Sequence, residues 1–188
     1  MNVPAHIIAI GAGLLACSCV SQRTGSYFTS GLRSYRGDGV IEDTSQRAIL
    51  FGTRGYLVAM PRFQLDRPFD GTFRLGGLPI IEDKKTGVAL IVPDTFSRER
   101  MPNTNSIIEY SVIDSQGKEI THVKSALGAL IWSSPIHGHL GSALYQLDTS
   151  FFQPASGASY RLHVTYSPEP GAGAGEGYFY LWSSVGGS

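Results

Sequence analysis

The stretch Tyr160-Arg161-Leu162-His163-Val164-Thr165-Tyr166 alternates apolar and polar residues without a break. Successive side chains of a β-strand point to opposite faces. Tyr160, Leu162, Val164 and Tyr166 therefore share one face, and Arg161, His163 and Thr165 share the other. One face is suited to burial and one to water, the pattern of a strand in a two-sheet sandwich.

From Arg47 onward, short runs of β type recur with turn signals between them. Ala48 to Phe51 ends at Gly52, Gly55 to Met60 ends at Pro61, and Phe63-Gln64-Leu65 runs into Asp66-Arg67-Pro68. Gly71 to Leu75 alternates and stops at Gly76-Gly77. Val88-Ala89-Leu90-Ile91-Val92 is apolar throughout and halted by Pro93, which predicts a central strand. Ile107 to Ile113 and Lys118 to Val123 flank Asp114-Ser115-Gln116-Gly117, so this pair predicts a hairpin. Ala126 to Trp132, Ser142 to Leu147 and Tyr178 to Trp182 are further strand segments, and Gly171 to Gly177 reads as a loop. No segment has a long helical period, although Asp94 to Met101 has room for one or two helical turns. The 23 Gly and 10 Pro supply turns, and nine Tyr and nine Phe suit strands. The expected fold class is all-β: a β-sandwich of two mainly antiparallel sheets, with about ten short strands over residues 47–188.

The N-terminus is of a different kind. Residues 7–16 form an uncharged apolar run of ten, followed by Cys17. A signal-peptide core runs roughly 7–15 residues, whereas a membrane-spanning helix needs about 20. Leu14-Leu15-Ala16-Cys17 resembles the lipobox of bacterial lipoproteins, although Met1 to His6 lacks the Lys or Arg usual before such a core. The resemblance implies cleavage after a 1–16 signal peptide and acyl chains on Cys17. It also implies, from Ser18 in place of Asp, an outer-membrane location facing the periplasm. Residues 17–46 then read as a lipidated N-terminus and flexible tether, with Tyr27, Phe28, Leu32 and Tyr35 available for local packing.

Removing residues 1–16 leaves 172, enough for one domain with a core. The only cysteines are Cys17 and Cys19, so the domain is not a disulfide scaffold. Fifteen Lys and Arg balance fifteen Asp and Glu, leaving no basic footprint for nucleic acid. Pro154 to Val164 resembles the entry to the penultimate strand of immunoglobulin-like sandwiches, where a Tyr at a strand start bonds back to the preceding corner. The Cys…Trp…Cys spacing of true immunoglobulin domains is absent.

Candidate chemistry is sparse. His137-Gly138-His139 places two imidazoles close enough to share a metal, with His122, His163 or Asp148 as a third ligand, but loop histidines are usually just solvated. Arg36-Gly37-Asp38 spells an integrin-recognition tripeptide and is equally an ordinary turn. Alternation puts Tyr178, Tyr180 and Trp182 on one face, a potential sugar-stacking platform with Trp132, or simply core. Asp66, Asp70, Glu82 and Asp83 read as turn carboxylates. Gly-x-Ser-x-Gly, His-Glu-x-x-His, the phosphate-binding Gly-x-x-x-x-Gly-Lys loop and Cys-x-x-Cys are all absent. The expectation is a membrane-anchored envelope lipoprotein without a cofactor. Its sandwich would be a non-enzymatic protein-interaction module in a structural, assembly, inhibitory or immunity role. A glycan- or peptidoglycan-binding module on the Tyr178 face is the alternative, and a metal-dependent hydrolase at His137 and His139 comes third.

Overall fold

The computed structural model describes residues 32–43, 54–81, 85–93, 105–133, 141–147 and 149–185. Within them the chain is an all-β sandwich of two antiparallel sheets, as the alternation predicts. The strands are β1 (Val40–Asp43), β2 (Arg54–Ala59), β3 (Phe63–Gln64), β4 (Phe69–Gly76), β5 (Thr86–Val92) and β6 (Ile107–Asp114). They continue with β7 (Glu119–Ala126), β8 (Ile131–Ser133), β9 (Ser142–Tyr145), β10 (Phe151–Phe152), β11 (Ser159–Ser167) and β12 (Glu176–Val185). The larger sheet runs β1-β2-β12-β5-β9-β8, with β10 also on β5 and β3 also on β12. The smaller runs β4-β11-β6-β7.

The core lies between the sheets. Phe73 and Leu75 of β4, Tyr110 and Val112 of β6, and Leu162 and Val164 of β11 pack against Val58 of β2, Leu90 of β5, and Phe179 and Leu181 of β12. Each fully buried side chain of this size contributes about 1.5–3 kcal/mol through removal from water. Every residue of β5 is buried, because its second face is covered too. There Leu57, Ala89, Ile91, Ala143, Tyr178 and Tyr180 form a separate apolar cluster with Trp182 packed against it. The absence of a side chain at Gly87 makes room for the Trp182 indole, since a Cβ there would lie 2.5 Å from the ring. Trp182 also meets Tyr145, Phe151 and Tyr180 edge-on, at centroid distances of 5.2–5.8 Å.

Tyrosine hydroxyls do the polar work of a core without disulfides. Tyr110 reaches from the smaller sheet to share a 2.6 Å hydrogen bond with Ser150 Oγ, which also accepts from the Gln146 N–H. Tyr166 donates to the Leu65 carbonyl at 3.0 Å. Tyr56 pairs with Thr86 Oγ1 at 2.7 Å, and burial pushes its hydroxyl up to about 12. Tyr160 accepts from the Ala155 N–H at 2.8 Å, the backward corner bond that the Pro154-to-Val164 resemblance implies.

Three segments depart from the sequence reading. Within the expected tether 17–46, residues 32–43 belong to the folded unit. The Arg36 N–H donates to the Gly76 carbonyl and the Asp38 N–H to the Arg74 carbonyl, at 2.7 and 2.8 Å. Residues 34–38 thereby cover the free edge of β4, which would otherwise leave unpaired backbone groups. Gly39, at φ +89°, turns the chain across to the other sheet, where β1 pairs with β2. Leu32 and Tyr35 pack on the core, as their apolar surface allows. Second, the strand expected over Ala126 to Trp132 is broken by a 3-10 turn at Leu127–Ala129, so its ends join β7 and β8 separately. Third, the glycine-rich loop is fastened to the domain: Gly175 O accepts from the Leu65 N–H at 2.9 Å, and Ala172 packs against the core. The segments Ala48 to Phe51 and Asp94 to Met101 lie outside the described residues.

Thr121, on the core face of β7, has a buried hydroxyl with no hydrogen-bond partner among the described residues. A buried unpaired hydroxyl costs about 1–3 kcal/mol. The near-isosteric Thr121→Val is therefore expected to raise stability by about 1 kcal/mol in chemical denaturation, and a loss of stability would contradict an unpaired hydroxyl.

Candidate functional site

The outer face of the smaller sheet gathers the polar half of the β11 alternation. Its ladders align His163 of β11 with Thr72 of β4 on one side and Ser111 of β6 on the other, and Ser111 with His122 of β7. The next row places Asp70, Thr165, Glu109 and Lys124 side by side. A four-stranded sheet thus fixes a flat row of titratable groups whose spacing is set by backbone hydrogen bonds.

The contacts in this face are specific. Ser111 Oγ donates to Glu119 Oε2 at 2.7 Å and lies 2.9 Å from His122 Nδ1. Its single proton goes to Glu119, so it accepts from a protonated Nδ1 of His122. His122 Nε2 lies 3.8 Å from Glu109 Oε1, and Lys124 Nζ lies 2.7 Å from Glu109 Oε2. The hydrogen bond and charge of Lys124 hold the Glu109 carboxyl below the usual glutamate range. His163 Nδ1 is 3.1 Å from Thr72 Oγ1, and its Nε2 is 4.0 Å from Asp70. The Ser111 hydroxyl thus bridges an imidazole and a carboxylate, and His122 Nδ1 itself lies 3.3 Å from Glu119 Oε2. The face is charge-patterned, with cationic, anionic and imidazole groups held side by side.

The residues singled out in the sequence fare differently. Tyr178, Tyr180 and Trp182 do share one face, but they are not an open stacking platform. Tyr180 is 1% exposed and Tyr178 9% exposed, and Trp182 is half-buried among aromatic neighbours. Arg62 lies over the Tyr178 ring at 5.5 Å and also meets Glu176 at 3.2 Å. Trp132 stands apart from these rings: its indole N–H donates to the Leu127 carbonyl at 3.0 Å and its ring packs on the main core. Cys17, His137, His139 and Asp148 lie outside the described residues. The other two expected third ligands, His122 and His163, belong to the outer face of the smaller sheet. Among the described residues, no three His, Cys, Asp or Glu side chains are placed to hold a metal ion, and no helix is long and apolar enough to cross a membrane. Asp38 of the Arg-Gly-Asp tripeptide accepts from the Arg74 N–H at 2.7 Å and from its guanidinium at 3.1 Å, so its carboxylate serves the fold as a strap fastener.

No protein-family model matches the chain, and no curated protein matches it. Among solved structures, one chain from "Structure of infectious bursal disease virus Gx strain" is 11% identical over 82% of this chain, with a TM-score of 0.23. The match spans 34% of that chain, and a likeness this distant carries no argument about function.

The depressed carboxyl of Glu109 has a testable consequence. A carboxylate held low by folding contributes stability above its unfolded pKa and loses it as pH falls through the folded value. Glu109→Gln is therefore expected to lower the thermal midpoint at pH 7, with the difference from wild type shrinking as pH falls through the carboxylate range. A difference independent of pH between 7 and 3 would contradict the ion pair. High salt should shrink it too, because the pair is solvent-accessible.

Proposed function

We propose that this chain is a bacterial envelope lipoprotein whose β-sandwich is a non-enzymatic protein-interaction module. Acyl chains on Cys17 hold it to the outer membrane, facing the periplasm. The observation that carries this reading is Leu14-Leu15-Ala16-Cys17 at the end of a ten-residue apolar run. Two or more acyl chains give stable anchoring, whereas one gives marginal binding. Residues 18–31 then separate the anchor from the strap that begins the described domain.

The interaction role rests on the outer face of the smaller sheet. It is held by continuous backbone ladders and is charge-patterned, and charges of both signs favour a selective partner over a nonspecific polyanion. The module takes a structural, assembly, inhibitory or immunity role with a protein partner, and the balanced overall charge is in keeping with a protein rather than nucleic acid. The buried Tyr180 counts against the glycan alternative, which needs open rings.

Cys17→Ser is the direct test of the anchor. The wild-type chain is expected to incorporate labelled fatty acid, to be processed and to partition with membranes; the variant is expected to remain unprocessed and unlabelled. Processing and labelling that survive the substitution would contradict the reading. For the partner, a tag after Ser188 and crosslinking in the intact envelope should capture one stoichiometric protein, lost on joint substitution of Glu109 and Lys124. Retention on glycan resin with no protein captured would overturn the interaction role.

A further inference from the structure

Where β4 ends and β11 begins, the smaller sheet has a shallow hollow of about 290 Å³. Sites for small ligands begin near this size, at roughly 300 Å³. Three arginines from separate segments line it: Arg36 from the strap, Arg74 from β4 and Arg161 from β11. Ser115 and Ser159 stand on its wall as well. We propose that this hollow binds a phosphoryl group, carried either by a lipid headgroup or by a soluble phosphate ester.

Arg161 stands directly opposite Arg74 in the β11–β4 ladder. Like charges directly opposite across two strands are destabilising; Asp38 offsets the charge of Arg74, and an anion between the two arginines would offset that of Arg161. Two carboxylates, Asp38 and, on the hollow's own wall, Asp114, stand against the three guanidinium groups and leave one net positive charge. Asp38 takes the Arg74 N–H and one of its guanidinium nitrogens, and Asp114 Oδ1 takes the N–H groups of Gln116 and Lys118 at 2.9 Å each. Arg36 spends one terminal nitrogen on the carbonyls of Arg33 and Tyr35, leaving its other donors to the hollow. Arg161 has no ion pair among the described residues. Three planar guanidinium forks suit a group with three acceptor oxygens, which phosphoryl supplies and a carboxylate does not. The Arg-Gly-Asp tripeptide thereby has two separate jobs: its Asp fastens the strap, and its Arg completes the hollow.

The test is a calorimetric titration of the full-length chain in non-ionic detergent at fixed ionic strength. The probes are inorganic phosphate, glycerol 1-phosphate, dihexanoylphosphatidic acid (a phosphate monoester with three terminal oxygens) and, as the phosphate-free lipid, dihexanoylglycerol. Saturable one-to-one binding is expected for at least one phosphate-bearing probe. Affinity is expected to fall about tenfold or more in Arg161→Gln, to be intermediate in Arg161→Lys, and to be unchanged in Arg67→Gln, before the far end of β4. Binding of the soluble phosphates points to a phosphate ester, and binding of the phospholipid alone points to a headgroup. Arg161 is exposed and stands opposite a like charge, so Arg161→Gln should not lower the thermal midpoint; Arg36→Gln, on the strap, repeats the test if it does. No saturable binding of any phosphate probe, equal binding of dihexanoylglycerol, or undiminished binding by both glutamine variants would overturn the proposal.

Discussion

The sandwich depends on a pair of adjacent strands, β5 and β12, that must be sealed on both faces. Neither strand has a wet side. Phe179 and Leu181 point into the space between the sheets, while Tyr178, Tyr180 and Ile91 point into a second apolar cluster. An antiparallel strand normally keeps one face for water. The central strands of the larger sheet are thus apolar on both faces, whereas β11 of the smaller sheet presents an outer face built on strict alternation. Aromatic side chains of the larger sheet go to packing, and the charged row falls to β4, β11, β6 and β7.

The second constraint is the missing disulfide. Both cysteines lie in the N-terminal segment, so nothing covalent ties sheet to sheet. Tyr110, Tyr166 and Tyr160 reach buried partners through their hydroxyls. A phenol fills core volume with its ring and satisfies a buried polar group with its tip, which suits a domain that must rely on packing. The strap over residues 34–38 closes the β4 edge by backbone hydrogen bonds and then crosses to pair as β1. An exposed edge is a template for unwanted pairing, and covering it leaves the sheet face as the available surface.

Much of this architecture was legible in the chain. The alternation of Tyr160 to Tyr166 specified both the strand and its wet face, and the apolar run Val88 to Val92 specified a central strand. The Asp114-to-Gly117 turn closes as read, with Asp114 Oδ1 capping two N–H groups and Gly117 at φ +85°. The strap escaped notice because its backbone bonds to Arg74 and Gly76, and the Asp38–Arg74 pair beside them, join residues far apart in the sequence and leave no local pattern. β1 is a short Val-Ile-Glu-Asp segment whose pairing depends on where β2 lies. The polar row was hidden for a related reason: Glu109, Ser111, His122 and His163 become neighbours only once strand order is known, and a bulge at Val112/Ile113 shifts Glu119 toward Ser111. Alternation placed Tyr178, Tyr180 and Trp182 on one face correctly, yet it carries no information about whether that face is covered.

The most direct measurement is native-state hydrogen exchange on the full-length chain. Opening β5 or β12 requires both apolar clusters to come apart, so their amides should exchange only through global unfolding. The account predicts that Ala89 to Ile91 and Phe179 to Leu181 are the slowest amides and share one opening free energy, with β1 and β3 exchanging earlier. Exchange of β12 at the rate of β1, ahead of β11, would show that the doubly sealed pair is not what the fold depends on.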